Sequence, residues 1–144
     1  MKRKSTAVWN GTGAEGKGIL NSTSGALKDT PYSFAARFVS EDGKAGTNPE
    51  ELIAAAHAGC YAMALSFGLT AAGFPPTELK AEATVTVENE GGGFVITSSH
   101  LDLVGDVPGI TSEKFTELAN DAKKNCPVSK ALDAIDITLT ATLK

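Results

Sequence analysis

The chain is poor in the side chains that metal and redox sites are usually built from: 144 residues carry two cysteines, two histidines and no CxxC pair. Two thiols are too few for a four-thiolate zinc site, and the histidines add little, so no metal is expected. Basic clustering is scarce as well. Net charge is −4, the charges are scattered, and only "MKRK" at the start resembles a basic patch. That argues against nucleic acid as a partner. No 7–15-residue apolar run follows "MKRK", only "STAVWNGTG", so no signal peptide is expected there. The longest apolar segment, 52–74, is interrupted by His57, Ser66, Thr70 and glycines. It fits a buried helix and not a membrane span. Internal repeats, low-complexity tracts and linkers are also missing. The expectation is one cytoplasmic domain, 1–144, with a single core. In a reducing compartment two thiols do not suggest a structural disulfide. They are either packed and inert or a redox-active pair.

What is present reads as short strands and turns, then a long helix. "TAVWN" and "GILNS" are strands separated by the turn-rich "GTGAEGKG". Over 33–38 the pattern alternates, with Phe34, Ala36 and Phe38 on one face and Arg37 on the other, which predicts a third strand. After the polar loop "VSEDGKAGT", Asn48 is the N-cap of the central helix. Pro49 takes the first helical position and Glu51 the capping-box position. The helix is expected to reach about Ala72, with Gly73 as its stop. "AEATVTVEN", the turn "EGGG" and "FVITSSHLDLVGDV" read as a hairpin. Phe115, Leu118, Ala119 and Ala122 mark a helix over 112–125. "CPVSKAL" begins a short helix, and 135–143 closes the chain as an alternating strand. The order β-β-β-α-β-β-α-α-β is α+β, with antiparallel sheets around the long central helix.

That central helix is apolar nearly all round, from Leu52 and Ile53 through Met63, Leu65, Phe67 and Leu69. Such a helix must be covered on every side. Its alanines and Gly59 admit a second helix closely, so a homodimer is the natural completion.

Cys60 lies in the middle of this helix, and Cys126 sits between two later helices, beside Lys123 and Lys124. A buried cysteine is commonly a small hydrophobe. Gly59 weakens that reading, because a glycine inside a helix costs ~1 kcal/mol relative to alanine. Cys126 is as activated as Cys60 by its surroundings, since helix N-termini and lysines lower thiol pKa. Local physics leaves open which of the two attacks. Arg37 could stabilise a thiolate and Glu50 could hold that guanidinium in place, although each alone reads as a solvated charge. His57, one turn before Cys60, is a neighbour on the helix, yet a satisfied packed histidine explains it as well.

"YSFAARF", "GTNPEELIAAAHAGCYAMAL" and "NCPVSKAL", in that order and spacing, resemble the OsmC branch of the OsmC/Ohr family (osmotically inducible protein C and organic hydroperoxide resistance proteins). The likeness runs over essentially the whole chain. It implies an OsmC-like fold, an intertwined homodimer with two interfacial sites, and a thiol peroxidase without metal or organic cofactor. By that resemblance Cys60 is the peroxidatic thiol, Cys126 the resolving one, and Arg37 and Glu50 the activating pair. Organic hydroperoxides, and to some degree hydrogen peroxide, are the implied substrates. An external dithiol is the implied reductant, and related Ohr proteins use lipoylated partners. The competing reading is a stress-related dimer that binds small molecules and whose thiols are only packed.

Glu50 and Cys60 are ten residues apart, about 15 Å along one helix. A glutamate cannot bridge that distance to place an arginine beside the same chain's sulfur. The expected site therefore takes Cys60 and Cys126 from one subunit, and Glu50 with Arg37 from its partner.

Overall fold

A computed structural model describes residues 1–40 and 44–144; the centre of the polar loop expected over 39–47 lies outside them. The chain divides into two compact units, Met1–Leu52 and Ile53–Lys144, each with its own three-stranded sheet.

In the first unit β1 (Ser5–Asn10), β2 (Lys17–Ser22) and β3 (Thr30–Ser33) form an antiparallel meander. Trp9, Gly18 and Tyr32 lie in one row across it. A Cβ at Gly18 would come within 2.3 Å of the Tyr32 ring. The bare glycine lets the Trp9 and Tyr32 rings approach to 5.2 Å between centroids.

The segment expected as a third alternating strand over 33–38 is instead a short helix, α1 (Phe34–Phe38). Ser33 decides it, because its hydroxyl accepts the Ala36 amide at 3.0 Å as an N-cap. Over five residues the two periods cannot be told apart, since both place Phe34 and Phe38 on one side. Those rings meet at a tilt, 5.0 Å between centroids. Arg37 is consequently not on the far face of a strand, and its guanidinium lies 4.6 Å from the Phe38 ring centroid.

Helix α2 (Pro49–Ala71) starts as expected, with the Asn48 side chain accepting the Glu51 amide at 2.8 Å. The Glu51 carboxylate accepts the Thr47 hydroxyl at 2.6 Å, one residue before the position a capping box uses. At the far end Gly73 has φ +87°. There Phe74 N–H reaches the Leu69 carbonyl at 2.9 Å and Gly73 N–H that of Thr70 at 3.1 Å, a Schellman closure.

The second unit carries β4 (Glu78–Glu90) and β5 (Gly93–Asp106), joined across Gly91 and Gly92. Both glycines have positive φ, +62° and +91°, as a tight two-residue hairpin turn requires. Helices α3 (Ser112–Asn125) and α4 (Pro127–Ala131) then lead to β6 (Asp136–Leu143). β6 pairs with β5 in parallel, so this sheet is mixed and the all-antiparallel expectation fails here. The cause is the crossover: 14 residues of α3 carry the chain back about 21 Å, so β6 starts at the same end as β5.

The core of this unit is shared by three elements. β5 turns Leu101 and Leu103 inward, α3 contributes Phe115, Ala119 and Ala122, and α2 contributes Tyr61, Leu65 and Leu69 at a spacing of four. Each buried leucine contributes roughly 1.5–3 kcal/mol. Helix α2 is long and apolar enough to cross a membrane by length and composition, but this stripe makes it a core helix. On its opposite face Met63 is 63% exposed and Phe67 73%.

Candidate functional site

Chemistry-bearing residues gather in two places, one in each unit. In the first, Arg37 of α1 grips Glu50 of α2. Arg37 Nε donates to Glu50 Oε2 at 3.0 Å and Nη2 to Oε1 at 2.5 Å. This two-pronged geometry fixes the plane of the guanidinium. Glu50 is buried while Arg37 keeps 31% of its side chain exposed. The arginine also borders a cavity of about 140 Å³ walled by Trp9, Tyr32, Phe34, Phe38 and Pro49. A positive, immobilised group thus stands at the edge of an aromatic hollow.

In the second place the two thiols meet. Both are free, Cys126 fully buried and Cys60 half-buried. Cys126 ends α3 and precedes Pro127, the first residue of α4. Its side chain makes no capping hydrogen bond of ordinary geometry, yet the first-turn amides of α4 act on its sulfur. Burial pushes the Cys126 thiol up, but the Ser129 amide, the Cys60 thiol, the Ser129 hydroxyl and the Val128 amide together bring it below the usual value. Cys60 moves the opposite way. Burial raises it, the Val128 amide offsets part of that, and the neighbouring Cys126 raises it further. Within this unit the two thiols are therefore displaced in opposite directions, Cys126 downward and Cys60 upward, so Cys126 gives up its proton the more readily. Tyr61, also displaced upward by burial and by Cys126, keeps its hydroxyl on the Ala119 carbonyl at 3.2 Å.

Behind the thiols lies His57, fully buried. Nδ1 is 2.8 Å from Ser99 Oγ and Nε2 is 2.9 Å from Ser129 Oγ. Burial lowers its pKa, so the ring is held neutral. His57 therefore does not pair with Cys60, the neighbour that its helical spacing suggested. Among the described residues no cluster of three or more His, Cys, Asp or Glu could hold a metal ion.

A family model described as OsmC-like protein matches residues 41–140. This chain belongs to the OsmC-like family. It is 45% identical to "Peroxiredoxin OsmC" of Escherichia coli (strain K12), over all of this chain and 98% of that one. The crystal structure of the organic hydroperoxide resistance protein OhrB of Bacillus subtilis superposes with TM-score 0.68 at 29% identity, over 98% of each chain. An organic hydroperoxide resistance protein of Elizabethkingia anophelis gives 0.72 at 26% identity, over 100% of this chain and 97% of that one.

Within this OsmC-like frame, Ser99 and Ser129 were not singled out from the sequence. Ser99 had a usable signal. It occupies the inward position two residues before Leu101 and four before Leu103, a polar group in an apolar row. His57 has the same character, four residues ahead of the buried Tyr61–Leu65–Leu69 stripe. Two polar residues on facing core surfaces predict each other, because a buried polar atom needs a partner. Ser129 had no such signal, being one serine in a five-residue helix.

Proposed function

We propose that this protein is a soluble, cytoplasmic thiol peroxidase that reduces organic hydroperoxides through a two-cysteine cycle. The observation that carries the reading is the contact of two free thiols at the start of α4, one reachable and one sealed. Cys60 is the attacking thiol, since a peroxide can reach a half-buried sulfur and not a fully buried one. Its thiolate attacks one peroxide oxygen, the O–O bond breaks and the alcohol leaves, giving a sulfenic acid. Cys126 then displaces hydroxide from that sulfur to form the disulfide, and an external dithiol reduces it. The names of the relatives, peroxiredoxin and organic hydroperoxide resistance protein, support the same substrate class. A lipoylated protein, the partner that related Ohr proteins use, fits the chemistry of that dithiol.

Cys60 needs help that its own unit lacks, because its neighbours raise its pKa. A guanidinium beside it would reverse the sharing of charge and stabilise the oxygen that leaves. The fixed Arg37–Glu50 pair supplies such a group. Its position in the cycle is proposed across a homodimer, where the partner subunit's Arg37 and Glu50 complete the site of Cys60 and Cys126. The uncovered face of α2, with Met63, Phe67 and the unobstructed Gly59 and Gly68, favours such a dimer. The partner subunit's aromatic hollow beside Arg37 would then receive the organic part of the peroxide.

Turnover of cumene and t-butyl hydroperoxide with dithiothreitol tests the reading. Wild type should cycle and Cys60→Ser should not. Equal turnover by both would leave the thiols as packing and favour the small-molecule-binding alternative.

A further inference from the structure

We propose that His57 is a positioning residue for disulfide formation: its ring clamps α4 to α2 and β5 through Ser129, and so holds Cys126, at the head of α4, in place for Cys60. The inference rests on the peroxidase reading above and adds to it a role for three buried side chains that the cycle as described does not use.

Helix α4 has little of its own to hold it in place. It runs only from Pro127 to Ala131, and a helix that short does not persist without tertiary support. Its backbone carries Cys126 directly. The Cys126 carbonyl accepts the Lys130 amide at 3.0 Å, and Cys126 N–H donates to the Ala122 carbonyl of α3 at 2.8 Å. Where α4 goes, Cys126 follows. Val128 packs α4 against the core, but apolar contact sets no direction. Among the described residues, one hydrogen bond joins a side chain of α4 to another element: Ser129 Oγ lies 2.9 Å from His57 Nε2.

The ring is itself fixed, because Nδ1 lies 2.8 Å from Ser99 Oγ of β5. With both nitrogens engaged its plane is set. A line thus runs from the sheet through α2 to α4, and all three of its side chains are buried. A buried polar line whose members are all satisfied selects one arrangement, which an apolar side chain filling the same space does not. Its place matters as much as its strength. Three residues on from His57 along α2 is Cys60, and three residues back from Ser129 is Cys126. The clamp is therefore a rung between α2 and α4 about 4.5 Å along the chain axis from each thiol. Disulfide formation is the step that needs this. The Cys126 sulfur bonds to the Cys60 sulfur, the S–O bond of the sulfenic acid breaks, and the hydroxide leaves as water with the Cys126 proton. That bond demands Cα atoms roughly 4.4–6.8 Å apart and a torsion near about 90°. Attack of Cys60 on the peroxide makes no such demand on α4, so the clamp serves the second step alone.

Two amide substitutions separate the two bonds of the ring. Glutamine carries its terminal amide to where Nε2 stands and asparagine only to where Nδ1 stands. His57→Gln thus keeps the tie to Ser129, and His57→Asn loses it. With one equivalent of cumene hydroperoxide in stopped flow, both variants should form the sulfenic acid at the wild-type rate. Disulfide formation should then slow about tenfold in His57→Asn and stay near wild type in His57→Gln. Under excess peroxide, mass spectrometry should find more over-oxidised Cys60 in His57→Asn. A second measurement needs no peroxide and decides if His57→Asn fails to fold. In Ser129→Ala the amides of Lys130 and Leu132 should lose about tenfold of their protection from hydrogen exchange, while those of α3 keep theirs. Four results overturn the clamp: a wild-type disulfide rate in folded His57→Asn, equal slowing in His57→Gln, peroxide attack slowed as much as disulfide formation, or unmoved exchange in Ser129→Ala. Failure of the peroxidase reading is seen separately, as absence of wild-type turnover, and leaves the exchange measurement standing.

Discussion

The two polar constellations of this chain solve opposite problems. Around Arg37 the protein fixes a full positive charge with a carboxylate, at 3.0 and 2.5 Å, and leaves a third of the guanidinium side open to an aromatic hollow. Around Cys60 and Cys126 the groups that act on the sulfurs are amides, a hydroxyl and each other, all uncharged donors. One place holds a fixed guanidinium and no thiol, and at the other no lysine, arginine or carboxylate among the described residues acts on the two sulfurs. Neutral dipoles can choose which thiol ionises, and here they choose the buried one. They do not make the reachable thiol reactive. On the peroxidase reading proposed above the cycle draws on both constellations, and variants at each separate the two contributions.

The largest effect should come from the nucleophile. Cys60→Ser should reduce turnover to the uncatalysed background, because no sulfenic acid can form. Cys126→Ser should consume one equivalent of peroxide and then stall or over-oxidise. Mass spectrometry after one equivalent distinguishes them. A sulfenic adduct on Cys126 in Cys60→Ser, with full single-turnover activity, would mean that the thiol favoured by the dipoles is also the attacker.

Removing the charge should cost less. Arg37→Ala should slow peroxide attack about a hundredfold, the usual loss when one donor to a developing charge is deleted. Glu50→Gln should cost about tenfold, since it loosens the guanidinium without removing it. Stopped-flow rates and a Cys60 titration check both. Unchanged values would leave the ion pair as a structural clip between α1 and α2.

How far these regions could be read in advance differs for the same physical reasons. Both ends of α2 were legible because Asn48 and Pro49 at its start and the Schellman glycine, Gly73, at its end are local signals that need no tertiary information. α3 was legible from the spacing of Phe115, Ala119 and Ala122. The α1 segment was not, because five residues with phenylalanines four apart satisfy both periods and the serine cap tips the balance. The parallel placement of β6 was invisible as well, since an alternating strand carries no mark of its direction. Cys60, Cys126, Arg37 and Glu50 came together as candidates only through the family resemblance, because local physics reads each one equally as a packed thiol or a solvated charge. The Ser99–His57–Ser129 line joins elements 42 and 72 residues apart, and spacing along the chain does not report such contacts.

A subunit-mixing experiment asks where the charge and the nucleophile meet. Cys60→Ser and Arg37→Ala subunits are each inactive or slow as homodimers. If sites form across the dimer, a mixed dimer holds one doubly altered site and one intact site. Free exchange should then restore about a quarter of wild-type activity. Persistent inactivity despite proven exchange would place both constellations of a working site in one chain.

The smallest effect, and the one most specific to the α2 face, belongs to Gly59→Ala. Among the described residues, the adjoining helix backbone aside, nothing lies within 4 Å of the position a Cβ would take at Gly59. Alanine is favoured over glycine in a helix by ~1 kcal/mol, so the separated chain should gain about 3 °C in Tm. If a partner helix packs on the ridge of Gly59, Met63 and Phe67, the added methyl group intrudes there and dimer affinity should weaken about tenfold. Sedimentation over a dilution series reads the affinity, and thermal melts at high dilution read the chain. A third pattern distinguishes the remaining explanation for the glycine. If affinity holds while peroxide attack on Cys60 slows, the missing side chain serves as the approach to the sulfur. Unchanged affinity and an unchanged rate would show that neither packing nor access required a glycine, and the argument for a partner at this point on α2 would fail.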